Sequence, residues 1–383
     1  MDEVIASGER PLPYAHIKRR QRRNKKITEE GQRPRPATLR EHISAQRAIP
    51  TELNASDLQA AHGGYSAKGG DTRGSKKRRS LPELLGLGFE LIRWDGYESR
   101  PIVDAHGRIV AALAGQPRGP DYAAAAARAF SALETERKAA NFKAEMAQHR
   151  RGGYVALNVG LSYGQGQRAP SLLRNGAYGA LLSRLVGNAD VIRLATFASA
   201  AFALWAPSLY QYYKKYDDAL HQNLPHLQRN FPKSIFSCAS FNFGPNAWTF
   251  KHRDVLNLPF GWCAIQALGP FDPTQGGHLI LWELRLVIEF PPGALILLPS
   301  ATMTHSNVPV QEGDQRASFT QYTSGAIFRY VDNGFRTEEE LAAQDPVEYK
   351  RVCEQKETRF RMGLGLLSSI DDLLKPIGKT AQQ

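Results

Sequence analysis

Two histidines and an aspartate stand out for what their spacing can do. His252 and Asp254 are separated by one residue, in His252-Arg253-Asp254, and His305 follows fifty-one residues after the aspartate. On an extended segment, residues two apart project to the same side, so His252 and Asp254 can reach one ion together. Two imidazoles and a carboxylate are the facial donor set of non-heme Fe(II), and they leave positions open for a co-substrate and O2. Arg316-Ala317-Ser318 lies just downstream. A guanidinium is a planar, permanently charged fork that grips a carboxylate with two bonds, and a serine two residues on adds a hydroxyl from the same side. The pair suits the distal carboxylate of 2-oxoglutarate. Such a site would use O2 to oxidise a C–H bond while the co-substrate leaves as succinate and CO2.

A His-x-Asp pair alone carries little weight in a chain with ten histidines. The elements around it decide. Residues 276–282 (GGHLILW) and 286–290 (LVIEF) read as strands rich in branched and aromatic residues. Pro291-Pro292-Gly293 supplies a turn, in which proline presets φ and glycine accepts φ > 0. Residues 294–299 (ALILLP) form the next buried strand, His305 follows a short loop, and 318–322 (SFTQY) reads as the return strand. Short strands broken by turn signals, with both ligand sites at strand ends, imply an α+β protein with a double-stranded β-helix, or jelly-roll, core and flanking helices. That core is expected over about 235–336.

From Asn242 to Phe335 the chain resembles the TET/JBP family of nucleobase dioxygenases, in its fungal type. The resemblance extends, by motif order, over roughly residues 85 to 336. His252-Arg253-Asp254-Val255-Leu256-Asn257 matches the family's His-Arg-Asp-x-x-Asn, and residues 316–322 (RASFTQY) match its Arg-x-Ser-x-x-x-Tyr. The resemblance implies that His252, Asp254 and His305 bind Fe(II), and that Arg316 and Ser318 bind 2-oxoglutarate. It puts Asn257 against the Watson–Crick edge of a flipped base. Asn242 and Tyr322 would line the site as a scaffold pair, the first on the co-substrate side and the second on the substrate side. The substrate it implies is a methylated base in duplex DNA. 5-Methylcytosine, oxidised to 5-hydroxymethylcytosine and beyond, comes first, with 6-methyladenine demethylation open to the same site. Animal members carry a cysteine-rich zinc region before the barrel, whereas this chain has only Cys238, Cys263 and Cys353 and no Cys-x-x-Cys. Structural zinc is not expected.

At 383 residues and 42% hydrophobic content, one catalytic domain with extensions fits better than two domains. Residues 1–80 hold 18 Lys/Arg against 9 Asp/Glu, most of the chain's net +12, and only Tyr14 and Tyr65 as aromatics. By composition this is a disordered basic tail. The dioxygenase domain then occupies 81–336, and 337–383 is a helical extension. Residues 18–26 (KRRQRRNKK) and 76–79 (KKRR) have the character of nuclear-import signals or phosphate contacts, so the expected location is the nucleus. The most apolar stretch, residues 194–205 (LATFASAAFALW), is too short for a bilayer, and no membrane is expected.

Between tail and core, residues 101–110 read as a hairpin, and Asp121 caps an alanine-rich helix running to about His149. A strand over 154–159 and helices over 171–186, 189–205 and 207–223 follow, and Thr337 to Glu340 has capping-box spacing. Phe243, Trp248, Phe328 and Tyr330 could stack on a base, although core roles suit them better. Two other readings stay open. One is a 2-oxoglutarate oxygenase acting on a protein or small molecule, and the other is a non-catalytic DNA-binding protein derived from a mobile element.

Overall fold

The apolar runs that flank the candidate ligands pair into two sheets. In the computed structural model, which describes residues 14–43, 46–69 and 76–378, eleven principal strands occur. They are β1 (Glu90–Ile92), β2 (Arg100–Val103), β3 (Ile109–Gly115), β4 (Ala156–Ser162), β5 (Cys238–Asn242), β6 (Cys263–Leu268), β7 (Leu279–Leu281), β8 (Leu286–Ile288), β9 (Leu295–Leu298), β10 (His305–Asn307) and β11 (Ala317–Tyr322). The large sheet runs β2-β3-β9-β6-β11-β5-β4, all antiparallel, with a short strand added at each edge. The smaller sheet runs β10-β7-β8-β1, in which only β8 and β1 are parallel. Leu279, Leu281, Leu286 and Ile288 of the small sheet share one core with Ile102, Leu113, Leu295 and Leu297 of the large one. The protein is thus a mixed α+β fold built on large, mostly antiparallel sheets.

Alternation along β5 and β11 decides which residues can serve a site. Ala239 and Phe241 of β5, with Ala317 and Phe319 of β11, pack into a second core under helices α1 (Pro120–Ala139), α2 (Gly179–Gly187) and α3 (Ala189–Trp205). With period-two alternation, Asn242 and Ser318 face the other way, towards the space between the sheets. The two are register partners. Helix α3 and the next helix, α4 (Pro207–Asn223), have the bounds their sequence patterns imply. Pro291-Pro292-Gly293 makes its turn with Gly293 at φ +83°, where an added Cβ would lie 2.4 Å from Gln116 Oε1.

Several expectations need correction. Helix α1 is capped by Gly119, while Asp121 pairs with Arg193 at 2.5 Å. It ends at Ala139, since Asn141 takes φ +48°, a left-handed conformation that asparagine tolerates and a helix does not. The strand expected over 154–159 is β4, two residues later at its start. Ser171–Leu172 is a strand pairing with the end of β4, and the helix anticipated there begins at Gly179. The tail expected over 1–80 is not disordered where it is described. Its first thirteen residues lie outside the described region, Tyr14–Glu30 is an exposed helix, and residues 46–69 pack onto the body. Ile49–Pro50 extends the large sheet beside β2, and Ile49, Ala55, Leu58 and Tyr65 are buried. The average composition of eighty residues hid this short apolar insert.

Tyr65 anchors that arm. Its hydroxyl donates to Asp332 at 2.5 Å, which also accepts from Tyr216 at 2.6 Å, and the Arg359 guanidinium lies 4.2 Å from the Tyr65 ring centre. Tyr65→Ala should therefore destabilise the fold by about 3–5 kcal/mol, the usual cost of emptying a large aromatic site. Chemical denaturation checks this, and an unstructured tail would give no change. His278 is fully buried with neither ring nitrogen bonded, and burial pushes its pKa down to about 4, against the opposing pull of Asp272. The unfolded chain binds a proton below about pH 6.5 that the folded chain refuses, so stability falls as pH drops towards 4. His278→Leu should flatten that decline by up to about 1.4 kcal/mol per pH unit, read from unfolding curves across the window.

Candidate metal centre

Strand β10 opens on His305, and its backbone pairs with that of His252. Each N–H donates to the other residue's carbonyl at 3.0 Å. This reciprocal bridge holds the two ring centres 4.2 Å apart. The chain does not stay extended through Asp254, as the spacing implied. It turns there, with Asp254 N–H donating to Ser300 O and Asn257 N–H donating to Asp254 O, both at 2.9 Å. The carboxylate is thereby set before both rings, Oδ1 at 3.9 Å from His252 Nε2 and Oδ2 at 3.9 Å from His305 Nε2. All three donor atoms lie within 4.8 Å of one another, the only such cluster among the described residues.

Hydrogen bonds fix which ring nitrogens are free. His252 Nδ1–H donates to Phe250 O at 2.7 Å and His305 Nδ1–H to Met303 O at 3.0 Å. With that proton placed on Nδ1, each Nε2 keeps a lone pair for a metal. Burial, reinforced by His305, drives the His252 pKa down to about 3 against Asp254 and the Phe250 carbonyl, so its imidazole is neutral at physiological pH. Burial raises the Asp254 pKa, but His252, His305, Arg151 and Arg150 together outweigh it and hold the carboxyl below its ordinary value. A neutral His252 imidazole and an ionised Asp254 carboxylate are protonation states that bind a divalent ion.

The second half of the site is a buried cation. Arg316 is 2% exposed. Its Nη1 donates to Ala247 O, its guanidinium lies 5.6 and 5.9 Å from the Phe271 and Phe290 ring centres, and Nε has no partner. No carboxylate among the described residues pairs with it. Burial lowers its pKa to about 10, opposed by Tyr154, which still leaves it charged at neutral pH. A buried charge without a counter-ion costs several kcal/mol, so the Arg316 guanidinium is suited to an anionic ligand. Gly277 keeps the approach open, because a Cβ there would meet Arg316 Nε at 3.1 Å and the Phe271 ring at 2.9 Å. Ser318 Oγ accepts Asn242 Nδ2–H at 2.9 Å, which leaves its own proton to donate to a ligand. Arg316 and Ser318 thus offer donors of the kind a carboxylate ligand requires, with Asn242 fixing the serine.

The remaining sequence candidates fall into place unequally. Tyr322 is partly buried, its phenol pKa raised by burial, Cys238 and Asp254 against Arg151, which puts it on the metal side of β11. Asn257 is half-buried and donates Nδ2–H to Ser300 Oγ at 3.1 Å. Phe243, Phe328 and Tyr330 are core residues, whereas Trp248 is partly open. One residue was not foreseen. Arg151 places Nη1 3.4 Å from Asp254 Oδ1, although it precedes that residue by more than a hundred positions. Its signal, Arg150-Arg151-Gly152-Gly153, has no spacing relation to the triad.

No protein-family model matches the chain, and neither does any curated protein. Among solved structures, the chain is similar to NgTET1 in complex with 5mC DNA, at 12% identity and TM-score 0.43, over 62% of this chain and 83% of that one. It is also similar to an oxidoreductase of the 2OG-Fe(II) oxygenase family from Burkholderia pseudomallei, at 16% identity and TM-score 0.29, over 55% and 92% of the two chains. A third is the viral collagen prolyl hydroxylase from Paramecium Bursaria Chlorella virus-1 in its 2OG complex, at 16% identity and TM-score 0.19, over 22% and 57%. The triad is the donor set of an Fe(II)- and 2-oxoglutarate-dependent dioxygenase, and the Arg316 pocket is a candidate anchor for its co-substrate.

His252→Ala, Asp254→Ala and His305→Ala should each abolish Fe(II)-dependent succinate formation without unfolding the protein, because loss of one donor of three breaks the facial geometry. Wild-type turnover in any of them, with metal content measured, would reject the triad. Arg316→Ala should raise the KM for 2-oxoglutarate roughly 30-fold or more, from the cost of about 2–5 kcal/mol for truncating one side of a buried charge pair. Arg316→Lys should recover only part of it, since an ammonium lacks the planar fork.

Proposed function

We propose that this chain oxidises a methylated base in DNA. The main course is 5-methylcytosine to 5-hydroxymethylcytosine and further oxidised forms, and demethylation of 6-methyladenine is open to the same site. The observation that carries the reading is the His252–Asp254–His305 face beside the buried, unpaired Arg316. Bound there, Fe(II) and 2-oxoglutarate supply O2 activation and a two-electron oxidation, with succinate and CO2 released. The chain's own residues do the rest. The facing sheets act as the double-stranded β-helix that aims the three donors inwards, and Arg316 and Ser318 orient the co-substrate by its far carboxylate. Arg151 holds Asp254 from the open side.

Support for a nucleobase comes from Asn257 and from surface charge. With Nδ2–H given to Ser300, Asn257 Oδ1 is left to accept an exocyclic amino hydrogen, which both cytosine and adenine carry. A base stacked in a duplex cannot reach buried ligands, so the nucleotide must be extruded. The run at residues 18–26 lies on the exposed Tyr14–Glu30 helix and suits phosphate contact or nuclear import. A nuclear location belongs to this reading, and a fluorescent fusion with residues 18–26 neutralised tests it.

The direct test is mass spectrometry of nucleosides after incubating protein, Fe(II) and 2-oxoglutarate with duplex DNA carrying either methylated base. Oxidised nucleoside should accumulate with matching succinate, and succinate without any change in the DNA would overturn the substrate. Asn257→Ala should lose oxidation of DNA while retaining the slow succinate formation seen without DNA. Equal loss of both would mean that Asn257 is structural.

A further inference from the structure

A trench of about 850 Å³ opens beside the metal centre, with Trp248 and Phe250 on its floor and the 147–153 and 309–313 loops as walls. Its rim carries Lys76, Arg78 and Arg150, all exposed, and Glu312 is the one carboxylate among its lining residues. The pairing of these cations is selective. Lys77 and Arg79, on the same run, are both tied to Glu83. Lys76, Arg78 and Arg150 have no acidic partner among the described residues. Arg78 is instead held over Trp248, its guanidinium carbon 5.4 Å from the ring centre, and Trp248 packs edge-on against Phe250 at 5.1 Å. Burial lowers the pKa of His149, in the wall, against the Tyr154 carbonyl 2.8 Å from its Nε2. The permanent positive charge is that of three exposed side chains around an aromatic floor.

The floor leads to the chemistry. Phe250 gives its carbonyl to His252 Nδ1–H, its N–H donates to Arg151 O at 2.7 Å, and Arg150 Nη2 donates to Arg253 O at 3.5 Å, between the two first ligands. A chain of phosphates lying in the trench would pass within a residue or two of His252. Unpaired cations set around an exposed ring are the means by which proteins follow a nucleic-acid strand without reading its sequence.

We propose that this trench is the track for the DNA strand that delivers the methylated base. In it, Lys76, Arg78 and Arg150 neutralise successive phosphates, and Trp248 offers a stacking face beside the site. The inference rests on the DNA reading above and assigns Lys76 and Arg78 of the 76–79 run to substrate delivery.

The test compares the full chain with a Lys76→Gln/Arg78→Gln variant and a Lys77→Gln/Arg79→Gln control of equal charge change. Binding to a short methylated duplex is followed by fluorescence anisotropy across a salt series, and DNA-independent succinate formation is measured alongside. The Lys76/Arg78 variant should flatten the log–log salt slope by about 1.5–2, at roughly 0.9 per phosphate contact. The control should leave the slope within about 0.5 of wild type, and all three proteins should form succinate at the same rate. An unchanged slope in the Lys76/Arg78 variant, with wild type still oxidising DNA, would overturn the trench and leave the DNA reading standing. An equal fall in the control would overturn it too, by showing that general basicity is sufficient. If wild type neither binds nor oxidises methylated duplex, the DNA reading itself fails and the trench assignment falls with it.

Discussion

The reciprocal backbone bridge between His252 and His305 is the constraint on which the rest depends. Two residues more than fifty positions apart must meet with their rings side by side, and the two 3.0 Å hydrogen bonds fix that meeting before any metal arrives. Everything nearby serves it. β10 is held in register by β7, Ser300 turns the chain at Asp254, and the carbonyls of Phe250 and Met303 settle both imidazole tautomers. A site preorganised in this way spends little entropy on closing around an ion.

The Arg316 pocket follows the opposite logic, because there the fold leaves an interaction incomplete. The guanidinium sits among Phe271, Phe290 and backbone, with Nε unbonded. That arrangement is costly without an anion and favourable with one, so it is selective for a carboxylate ligand. Asn242 bears on it only through Ser318, from the adjacent strand. The two halves of the site thus come from different sheets, and the shared core of Leu279, Leu281, Leu295 and Leu297 keeps them in register.

Much of this was legible in the sequence where one local rule governed. Two-residue spacing paired Ser318 with Arg316, the family resemblance singled out Tyr322 on the same strand, and helical patterning gave α3 and α4 their bounds. Local rules failed where long-range contacts took over. The turn at Asp254 is imposed by Ser300, and Arg151 reaches the metal site across more than a hundred residues, a relation no spacing rule contains. The arm over 46–69 was lost for another reason. Tyr65 and a few aliphatic residues are enough to dock it, but they are diluted by the charges around them. Of the four aromatics that might have met a base, the sequence did not separate open Trp248 from the three buried rings, because exposure is a property of the packed chain.

The most direct test of the central claim is an anaerobic titration of the purified protein with Fe(II) and then 2-oxoglutarate, followed by visible absorption. The triad and Arg316 together require equimolar uptake of Fe(II), followed by a saturable charge-transfer band as the co-substrate chelates the ion. The band should be absent from His305→Ala and should need far more co-substrate in Arg316→Ala. A wild-type protein that takes up no Fe(II), or that binds it and shows no band with 2-oxoglutarate, would contradict the account.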